Sequence, residues 1–347
     1  MTSRLLTYKD AINEALRQEM QADSRVFLIG EDVAGGAGRD EFPGATDAWG
    51  GPFGVTKGLV TEFGRERVID SLLAETGFVG ACIGAAFAGL RPVAEIMYAD
   101  FLGTSFDQIL NHAAKLRFTY GGISSIPLVI RTVTGAGFRA ASEHSQMLIS
   151  IYSHVPGLKV IAPSNAFDAK GLLISAIRDP DPVIFMEHKR LYMRESMVPE
   201  APYAIPIGKG DIKRIGNSIT IVGVQKMVNT ALDAANILEK EGIHAEVIDP
   251  RSYSPLDIEL ICESVEKTGF LLIVDESHPR CSIASDISSQ VVDRAFASLK
   301  GPIKMLTGLH TPVPYSPPLE DFFIPSVNEV VRYCTSMIKG ENIVNRY

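Results

Sequence analysis

The amino-acid sequence predicts an α/β protein of two three-layer domains, each with a parallel β-sheet covered by helices. Short apolar segments alternate with helical segments along the chain of 347 residues, which is the pattern of parallel sheets with helical crossovers. The length suits two domains or one large one. Residues 193–210 are Pro-rich and lack periodicity, so we interpret them as a linker between domains at residues 1–192 and 211–347.

The composition is that of an ordinary globular protein and argues against some functions. Hydrophobic residues make up 46% of the chain and charged residues 21%, and the net charge is −8 without a basic block, which disfavours nucleic-acid binding. The four cysteines are widely spaced and form no CxxC motif, which indicates buried thiols in a reducing compartment. The longest apolar run, residues 77–90, is too short to span a bilayer. We therefore expect a soluble cytoplasmic protein without a membrane partner.

The first domain is predicted to alternate helices with short buried strands. Thr7 and Asn165 are suitable N-caps for two of the helices. A glycine-rich loop at residues 31–54 lacks periodicity, which is typical of a functional or disordered segment. The predicted helices cover residues 8–21, 106–116 and 166–177, with another that begins at residue 76. The predicted strands cover residues 26–30, 68–73, 92–97, 126–133, 158–162 and 183–186.

The second domain is predicted to be a regular series of βα units, followed by a final helix over residues 327–338. Such a series forms a parallel, doubly wound sheet with right-handed crossovers. The predicted strands cover residues 218–224, 244–248, 270–275 and 303–307. The predicted helices between them cover residues 228–241, 257–268 and 283–299.

Glu75 is the most informative charged residue of the nearly uncharged stretch 71–101. It follows apolar residues and precedes a run of small and apolar ones. Burial there would raise the pKa of its carboxyl group unless a partner is supplied, which suits a group that gives and takes a proton near neutral pH. The alternative is that Glu75 only provides a negative charge at the start of a helix beginning at Thr76.

Three predicted strand ends or exit loops in the first domain carry residues that can take part in chemistry. They contain Glu75, residues 98–101 with Phe101, and His144. Ligands of parallel sheets bind outside the carboxyl ends of the strands. A carboxylate, an aromatic face and an imidazole could hold a flat heteroaromatic ring there and move a proton. Phe101 could instead be a core residue, and His144 a surface histidine or a satisfied core one. The histidines show no metal-ligand spacing.

The sequence resembles the β subunit of the thiamine-diphosphate-dependent component of 2-oxo acid dehydrogenase complexes. The resemblance covers nearly the whole chain and includes VFLIGEDVA (26–34), LAETGFVGACIGAAFAGLRPVAEIM (73–97), EHSQ (143–146) and TGLHTPVPYSPPLE (307–320). It implies a transketolase-like pyrimidine-binding domain followed by a transketolase C-terminal-type domain. Residues 47–59, 97–108 and 183–192 are most similar to the acetoin dehydrogenase branch. The pyruvate and branched-chain enzymes are the alternatives.

The resemblance implies roles for individual residues. Glu75 matches the glutamate that hydrogen-bonds N1′ of the aminopyrimidine of thiamine diphosphate. Phe101 matches the aromatic residue packed on the pyrimidine, and Leu73 and Thr104 match positions beside it. His144 matches the histidine that handles protons or assists acyl transfer from the coenzyme to lipoamide. Members of the family often hold a potassium ion, and the matching positions here are Leu128, Ala176, Ile177, Asp179 and Asp181.

The resemblance also implies partners. Related enzymes hold Mg²⁺ and the diphosphate through a GDG sequence, which this chain lacks. We therefore expect an α subunit to supply that half of the site in an α₂β₂ heterotetramer, and a lipoyl acyltransferase core to bind the second domain. Two other hypotheses are a self-sufficient transketolase-like enzyme and a non-catalytic nucleotide- or flavin-binding module.

Overall fold

A computed structural model describes residues 2–35 and 49–343 and divides the chain into two compact units. The first unit contains Met1–Thr134 and Ile151–Ile207, and the second contains Gly135–Ser150 and Gly208–Tyr347. Residues 36–48 of the predicted glycine-rich loop lie outside the described residues. The domain bounds and the linker that the sequence suggests stay a prediction.

The strands of the described residues are short, and those of the two larger sheets are mostly buried. They are β1 (Ser3–Thr7), β2 (Val26–Gly30), β3 (Val68–Asp70), β4 (Arg91–Tyr98), β5 (Val129–Thr134), β6 (Lys159–Ile161), β7 (Val183–His188), β8 (Glu195–Pro199), β9 (Asp211–Arg214), β10 (Ile219–Gly223), β11 (Ala245–Asp249), β12 (Ser252–Ser254), β13 (Leu271–Asp275) and β14 (Lys304–Thr307).

The α-helices alternate with these strands. They are α1 (Tyr8–Ala22), α2 (Leu59–Phe63), α3 (Glu75–Phe87), α4 (Leu116–Thr119), α5 (Ile149–Ser153), α6 (Ala166–Arg178), α7 (Met227–Lys240), α8 (Ile258–Thr268), α9 (Ile283–Ala295), α10 (Pro317–Phe323) and α11 (Val327–Lys339). A π-helix at Gln108–Ala113 and the short α4 replace most of the single helix predicted over residues 106–116.

The main sheet of the first unit is parallel, as the sequence predicts. Its strands follow the order β6-β7-β5-β4-β2-β3, and each neighbouring pair is parallel. Every residue of β5 and β7 is buried, as expected for strands covered on both faces. Because all these strands run in one direction, their carboxyl ends lie along one edge, where ligands of such sheets bind.

Polar contacts fix the helices of the first unit. The predicted N-caps are confirmed, since the Thr7 side chain accepts a hydrogen bond from the backbone of α1, and Asn165 does the same for α6. Lys170 on α6 is fully buried, and its ammonium group donates to Glu14 at 2.5 Å and to the Pro199 carbonyl at 2.7 Å. The buried charge is therefore paired and hydrogen-bonded, as burial requires.

Strands β1 and β8 form a separate antiparallel pair that the sequence did not reveal. Strand β8 lies inside the segment predicted to be an irregular linker, and its Pro199 is paired with Ser3. This part of the segment therefore belongs to the first unit.

The second unit contains a sheet in the order β14-β13-β10-β11-β9. Its first four strands are parallel, whereas β9 is an antiparallel edge strand that we did not predict. Helices α7 and α11 contribute Met227, Leu238, Val330 and Tyr333 to a buried apolar cluster with the sheet. The predicted α/β class is confirmed in both units. No helix within residues 2–35 and 49–343 is long and apolar enough to cross a membrane.

Candidate active site

The first candidate site lies at the carboxyl edge of the first unit's sheet. Strands β3, β2 and β4 are neighbours, and Glu31, Glu75 and Phe101 each follow the end of one of them. The topology therefore brings two carboxylates and an aromatic ring to the same edge, where parallel sheets bind ligands.

Glu75 is the first residue of α3 and is half-buried. The N-cap residue, Ala74, has no side chain that can cap the helix. A carboxylate in the first turn is favoured by the helix dipole, so the position is stabilising even without a ligand. Both interpretations of Glu75, as a helix-terminal charge and as a proton-sharing group, are compatible with this geometry.

Glu31 is a second carboxylate of this site, and the sequence analysis missed it. Its side chain follows β2 directly, and the residue is 8% exposed. Burial raises the pKa of Glu31, and the nearby negative charges of Glu75 and then Asp32 raise it further. Glu31 and Glu75 are therefore close enough to interact.

An aromatic group follows the end of β4, the strand that neighbours β2. Phe101, in the 3₁₀-helical turn Ala99–Gly103, packs edge-on against Tyr98 with ring centroids 5.5 Å apart. Thr104 donates from its hydroxyl to the Phe101 carbonyl at 2.8 Å. Its own carbonyl accepts a hydrogen bond from the Thr76 hydroxyl at 2.5 Å. The structure thus joins the turn of Phe101 and Thr104 to the first turn of α3, which carries Glu75.

The loop before α3 exposes large apolar side chains. Leu72 is 75% exposed and Leu73 is 82% exposed. Adjacent exposed leucines are typical of a surface that a ligand or another chain covers. Leu73 lies two residues from Glu75, so an apolar surface and an acidic group are presented side by side.

The small-residue face of α3 is also exposed. Gly77, Ala81, Gly84 and Ala88 are exposed, and their spacing places them on one side of the helix. Among the described residues, no atom lies within 4 Å of a Cβ placed at Gly84. Within this chain, close packing therefore does not explain that glycine.

A buried ionic network supports the same edge of the sheet. Arg131 on β5 donates to Glu95 on β4 at 2.6 Å and to Glu187 on β7 at 2.7 Å. The Tyr192 hydroxyl donates to the other oxygen of Glu187 at 2.7 Å. Arg131 is 1% exposed and Glu187 is 0% exposed. The network holds three adjacent strands in register near the turn that carries Phe101. The sequence analysis missed it because single charges inside strands give no pairing signal.

His144 lies in the second unit, whereas Glu75, Leu73, Phe101 and Thr104 lie in the first. It ends the 3₁₀ turn Ser142–His144 and is partly buried. Polar contacts fix the segment that leads to His144. The buried Glu320 accepts a hydrogen bond from the Gly137 backbone at 2.7 Å and forms an ion pair with Arg139 at 2.6 Å. The sequence had placed His144 in the first domain's exit loop.

A cavity of about 420 Å³ lies beside this turn, within the second unit. Glu143 and Gln146 line it on one side, and His278 and His310 line it on the other. A hydrogen bond from the Ser142 side chain has the largest effect in lowering the pKa of Glu143. The carboxylate form is thus favoured at the cavity.

Of the five residues predicted to hold potassium, Ala176, Ile177, Asp179 and Asp181 lie at the end of α6 or just after it. The carbonyl of the fifth, Leu128, accepts a hydrogen bond from the Val183 backbone. The Ile177 carbonyl accepts from Arg91 at 2.7 Å. The Asp179 carboxylate accepts from Lys159 at 2.7 Å, and Asp181 lies 3.5 Å from the same ammonium. These two cationic side chains disfavour an additional cation. The described contacts therefore do not support the potassium site, which stays a prediction. The described residues contain no cluster of three or more His, Cys, Asp or Glu suited to a metal.

Family models define the class of protein to which these units belong. The transketolase pyrimidine-binding domain matches residues 4–195, and the transketolase C-terminal domain matches residues 208–330. A solved structure titled split gene transketolase, inactive beta4 tetramer, has a TM-score of 0.74 at 21% identity, covering 97% of this chain and 99% of that one. The chain therefore has the transketolase-like two-domain fold.

Curated relatives narrow the class to a family. The β subunit of acetoin:2,6-dichlorophenolindophenol oxidoreductase is 52% identical in Bacillus subtilis, over 99% of this chain and 100% of the relative. The Cupriavidus necator protein of the same name is 54% identical, over 97% and 99%. The β subunits of Rickettsia felis pyruvate dehydrogenase and B. subtilis 2-oxoisovalerate dehydrogenase are each 44% identical, over 94% and 96%. The chain belongs to the β subunits of the thiamine-diphosphate-dependent 2-oxo acid and acetoin dehydrogenases. The family predicted from the sequence is confirmed, and with it an oxidoreductase role. The relatives are β subunits of multi-subunit dehydrogenases, which implies an α-type partner.

Proposed function

We propose that this chain is the β subunit of an acetoin dehydrogenase. The observation that carries the proposal is the 52–54% identity to two acetoin-oxidising β subunits, against 44% to pyruvate and 2-oxoisovalerate dehydrogenase β subunits. The similarity extends over nearly the full length of each relative, so it covers both units. A pyruvate or branched-chain substrate is the alternative that the experiment below separates.

The residues at the first unit's edge fit the aminopyrimidine of thiamine diphosphate. A flat heteroaromatic ring needs an apolar surface and a group that can share a proton with its ring nitrogen. Exposed Leu73, the ring of Phe101 and the half-buried Glu75 supply that chemistry. When bound, the coenzyme supplies a nucleophilic thiazolium carbon that adds to the substrate carbonyl.

Each of these residues has a proposed task. Glu75 holds a proton at N1′ of the pyrimidine and so controls the protonation of the adjacent amino group. Phe101 and Leu73 pack on the ring and exclude water. Thr104 positions Phe101, since it donates to the Phe101 carbonyl and accepts from the first turn of α3. His144, whose imidazole can both give and take a proton, moves a proton during transfer of the acyl group to lipoamide.

The chain is proposed to work in an α₂β₂ heterotetramer. The exposed leucines beside Glu75 and the exposed small-residue face of α3 support coverage by another chain. The α subunit would hold Mg²⁺ and the diphosphate, because this chain has no GDG sequence. A lipoyl acyltransferase core would receive the acyl group and bind the second unit. The four cysteines are free thiols, which supports a cytoplasmic location.

A substrate panel on the reconstituted α/β pair tests the proposal. Acetoin, pyruvate and branched-chain 2-oxo acids are compared as donors, with 2,6-dichlorophenolindophenol as the acceptor and thiamine diphosphate with Mg²⁺ added. Acetoin should give the highest kcat/KM, and neither chain alone should be active. A preference for a 2-oxo acid would mean that this acid, and not acetoin, is the substrate. Activity of this chain alone would contradict the heterotetramer.

A further inference from the structure

The end of the glycine-rich loop, residues 49–54, is attached to the first unit next to the end of β2. The Gly51 backbone donates a hydrogen bond to the Asp32 carbonyl at 3.2 Å, two residues beyond that strand. The Gly54 backbone donates to the Gly51 carbonyl at 3.1 Å and closes a turn. This turn carries Phe53, which is partly buried. The end of the loop therefore has a defined position at the carboxyl edge of the sheet.

Phe53 contacts two tyrosine rings. Its ring centroid lies 5.4 Å from that of Tyr192 and 5.6 Å from that of Tyr98, within the range of favourable aromatic pairs. The Tyr192 hydroxyl donates to Glu187 at 2.7 Å, which is part of the buried ionic network around Arg131. Phe53 thus joins this network on one side to Tyr98 on the other.

Tyr98 is the last residue of β4 and is held by three side chains of the first unit. Phe53 contacts it edge-on, with an angle of 83° between the rings. The ammonium group of Lys189, a residue only 4% exposed, lies 5.3 Å from the Tyr98 ring centroid, within the distance of a cation–π interaction. Phe101 packs against the same ring at 5.5 Å and 76°. The rings of Phe53, Tyr98 and Phe101 therefore form a continuous series.

This series ends at the ring that is proposed to pack on the coenzyme. Phe101 lies in a short 3₁₀-helical turn, and a side chain on such a turn needs neighbours that fix its rotamer. The contact with Tyr98 restricts the Phe101 ring before a ligand binds. Less conformational entropy is then lost on binding, which raises affinity.

We propose that Tyr98 and Phe53 are positioning residues for thiamine diphosphate. They hold the Phe101 ring in the orientation that packs on the aminopyrimidine, and neither has to touch the coenzyme. Their task rests on the role proposed above for Phe101, and it gives the end of the glycine-rich loop a part in coenzyme binding.

Titration calorimetry of thiamine diphosphate with Mg²⁺ on the reconstituted α/β enzyme tests these roles. Tyr98→Leu removes the ring but keeps apolar volume, and it should raise the Kd about fivefold, as expected for the loss of an aromatic pair. Tyr98→Phe keeps the ring, so its Kd should stay within about twofold of the original. Phe53→Leu should raise the Kd about threefold, and it tests the same contact if Tyr98→Leu does not fold.

A double-mutant cycle shows whether Tyr98 acts through Phe101. When Tyr98→Leu is added to Phe101→Ala, the Kd should rise by less than about twofold beyond that of Phe101→Ala, because the ring that Tyr98 positions is already gone. A loss of affinity caused by general destabilisation would instead add to the effect of Phe101→Ala.

Tyr203→Leu is the matched control. Tyr203 also contacts a phenylalanine ring, that of Phe167 at 4.7 Å, and also has a buried lysine, Lys170, at 5.4 Å from its ring centroid. These partners lie on α6. The variant should lower the melting temperature, since it loses the same kinds of contact as Tyr98→Leu, and should leave the Kd of the coenzyme unaltered.

An unaltered Kd in Tyr98→Leu and Phe53→Leu, or a full fivefold effect of Tyr98→Leu in the Phe101→Ala background, would overturn the proposal. A rise in Tyr98→Phe or Tyr203→Leu as large as in Tyr98→Leu would overturn it as well. In these cases Phe101→Ala still weakens coenzyme binding and the original enzyme still oxidises acetoin, so the proposed function stands. An unaltered Kd in Phe101→Ala would remove Phe101 from the site and the two positioning roles with it.

Discussion

Replacing Arg131 with methionine should strongly destabilise the first unit, because two buried carboxylates lose their shared cation. Arg131 is 1% exposed, Glu95 is 7% exposed and Glu187 is 0% exposed. Removing one partner of a buried ion pair costs about 3–5 kcal/mol, since the remaining charge stays buried. The melting temperature of a unit of this size moves by about 2–4 °C per kcal/mol, so we expect a decrease of about 6–20 °C.

The loss of stability caused by Arg131→Met should depend on pH. Burial raises the pKa of Glu187, and the positive charge of Arg131 opposes that rise. Without Arg131, the pKa of Glu187 in the folded chain should therefore be higher still. A carboxyl group whose pKa is higher in the folded than in the unfolded chain binds more protons when folded, so stability falls as the pH rises. The decrease in melting temperature should be larger near pH 8 than near pH 5.5.

Thermal unfolding followed by circular dichroism measures both effects. Arg294→Met is the surface control, because Arg294 and its partner Glu259 have side chains that are 45% and 70% exposed; it should cost less than about 1 kcal/mol. Adding Glu187→Gln to Arg131→Met should recover more than half of the loss, since it removes the more deeply buried of the two unpaired charges. A decrease in melting temperature no larger than that of Arg294→Met, or a decrease independent of pH, would refute the reasoning.

Four further variants test other parts of the molecule. Phe101→Ala should weaken thiamine diphosphate binding to the α/β pair about tenfold, and titration calorimetry that finds unaltered affinity would remove Phe101 from the site. Gly157→Ala should cost more than about 3 kcal/mol in urea unfolding, because φ is +97° and a Cβ would lie 1.9 Å from the Ala114 carbonyl oxygen. Gly84→Ala, with open space around it, should stabilise the isolated chain by up to about 1 kcal/mol, and an equal loss in both glycine variants would contradict this account. Burial, with a smaller contribution from the negative charge of Glu276, raises the pKa of Asp275 to about 7. The folded chain then binds more protons than the unfolded chain, so stability should fall between about pH 4 and pH 7, and Asp275→Asn should flatten that slope.

Local sequence pattern was sufficient for most of the fold. The alternation of apolar and amphipathic segments located both parallel sheets, and Thr7 and Asn165 marked helix starts correctly because an N-cap depends only on its own turn. Strands β1 and β8 were missed because they pair across nearly the whole first unit. Leu5 in β1 is 63% exposed, so this strand has no continuous buried face to reveal it.

The site was predicted only in part. Glu75 and Phe101 stand out because each follows a strand end in an unusual local sequence. Glu31 and Arg131 could not be recognised, since their significance comes from partners on other strands. The exposed glycine face of α3 was noticed, but the sequence cannot show whether its partner lies in the same chain. The role of a charged residue that pairs with a distant segment can therefore be recognised only in the structure.

The most direct test of the central claim is exchange of the thiazolium C2 proton for deuterium in the reconstituted α/β enzyme. The exchange is quenched at set times and the remaining C2 proton is quantified by NMR, for the original enzyme and for Glu75→Gln at saturating coenzyme. If Glu75 shares the proton of the pyrimidine N1′, the variant should bind thiamine diphosphate yet exchange at least about a hundredfold more slowly. Exchange at the original rate in Glu75→Gln would contradict the account.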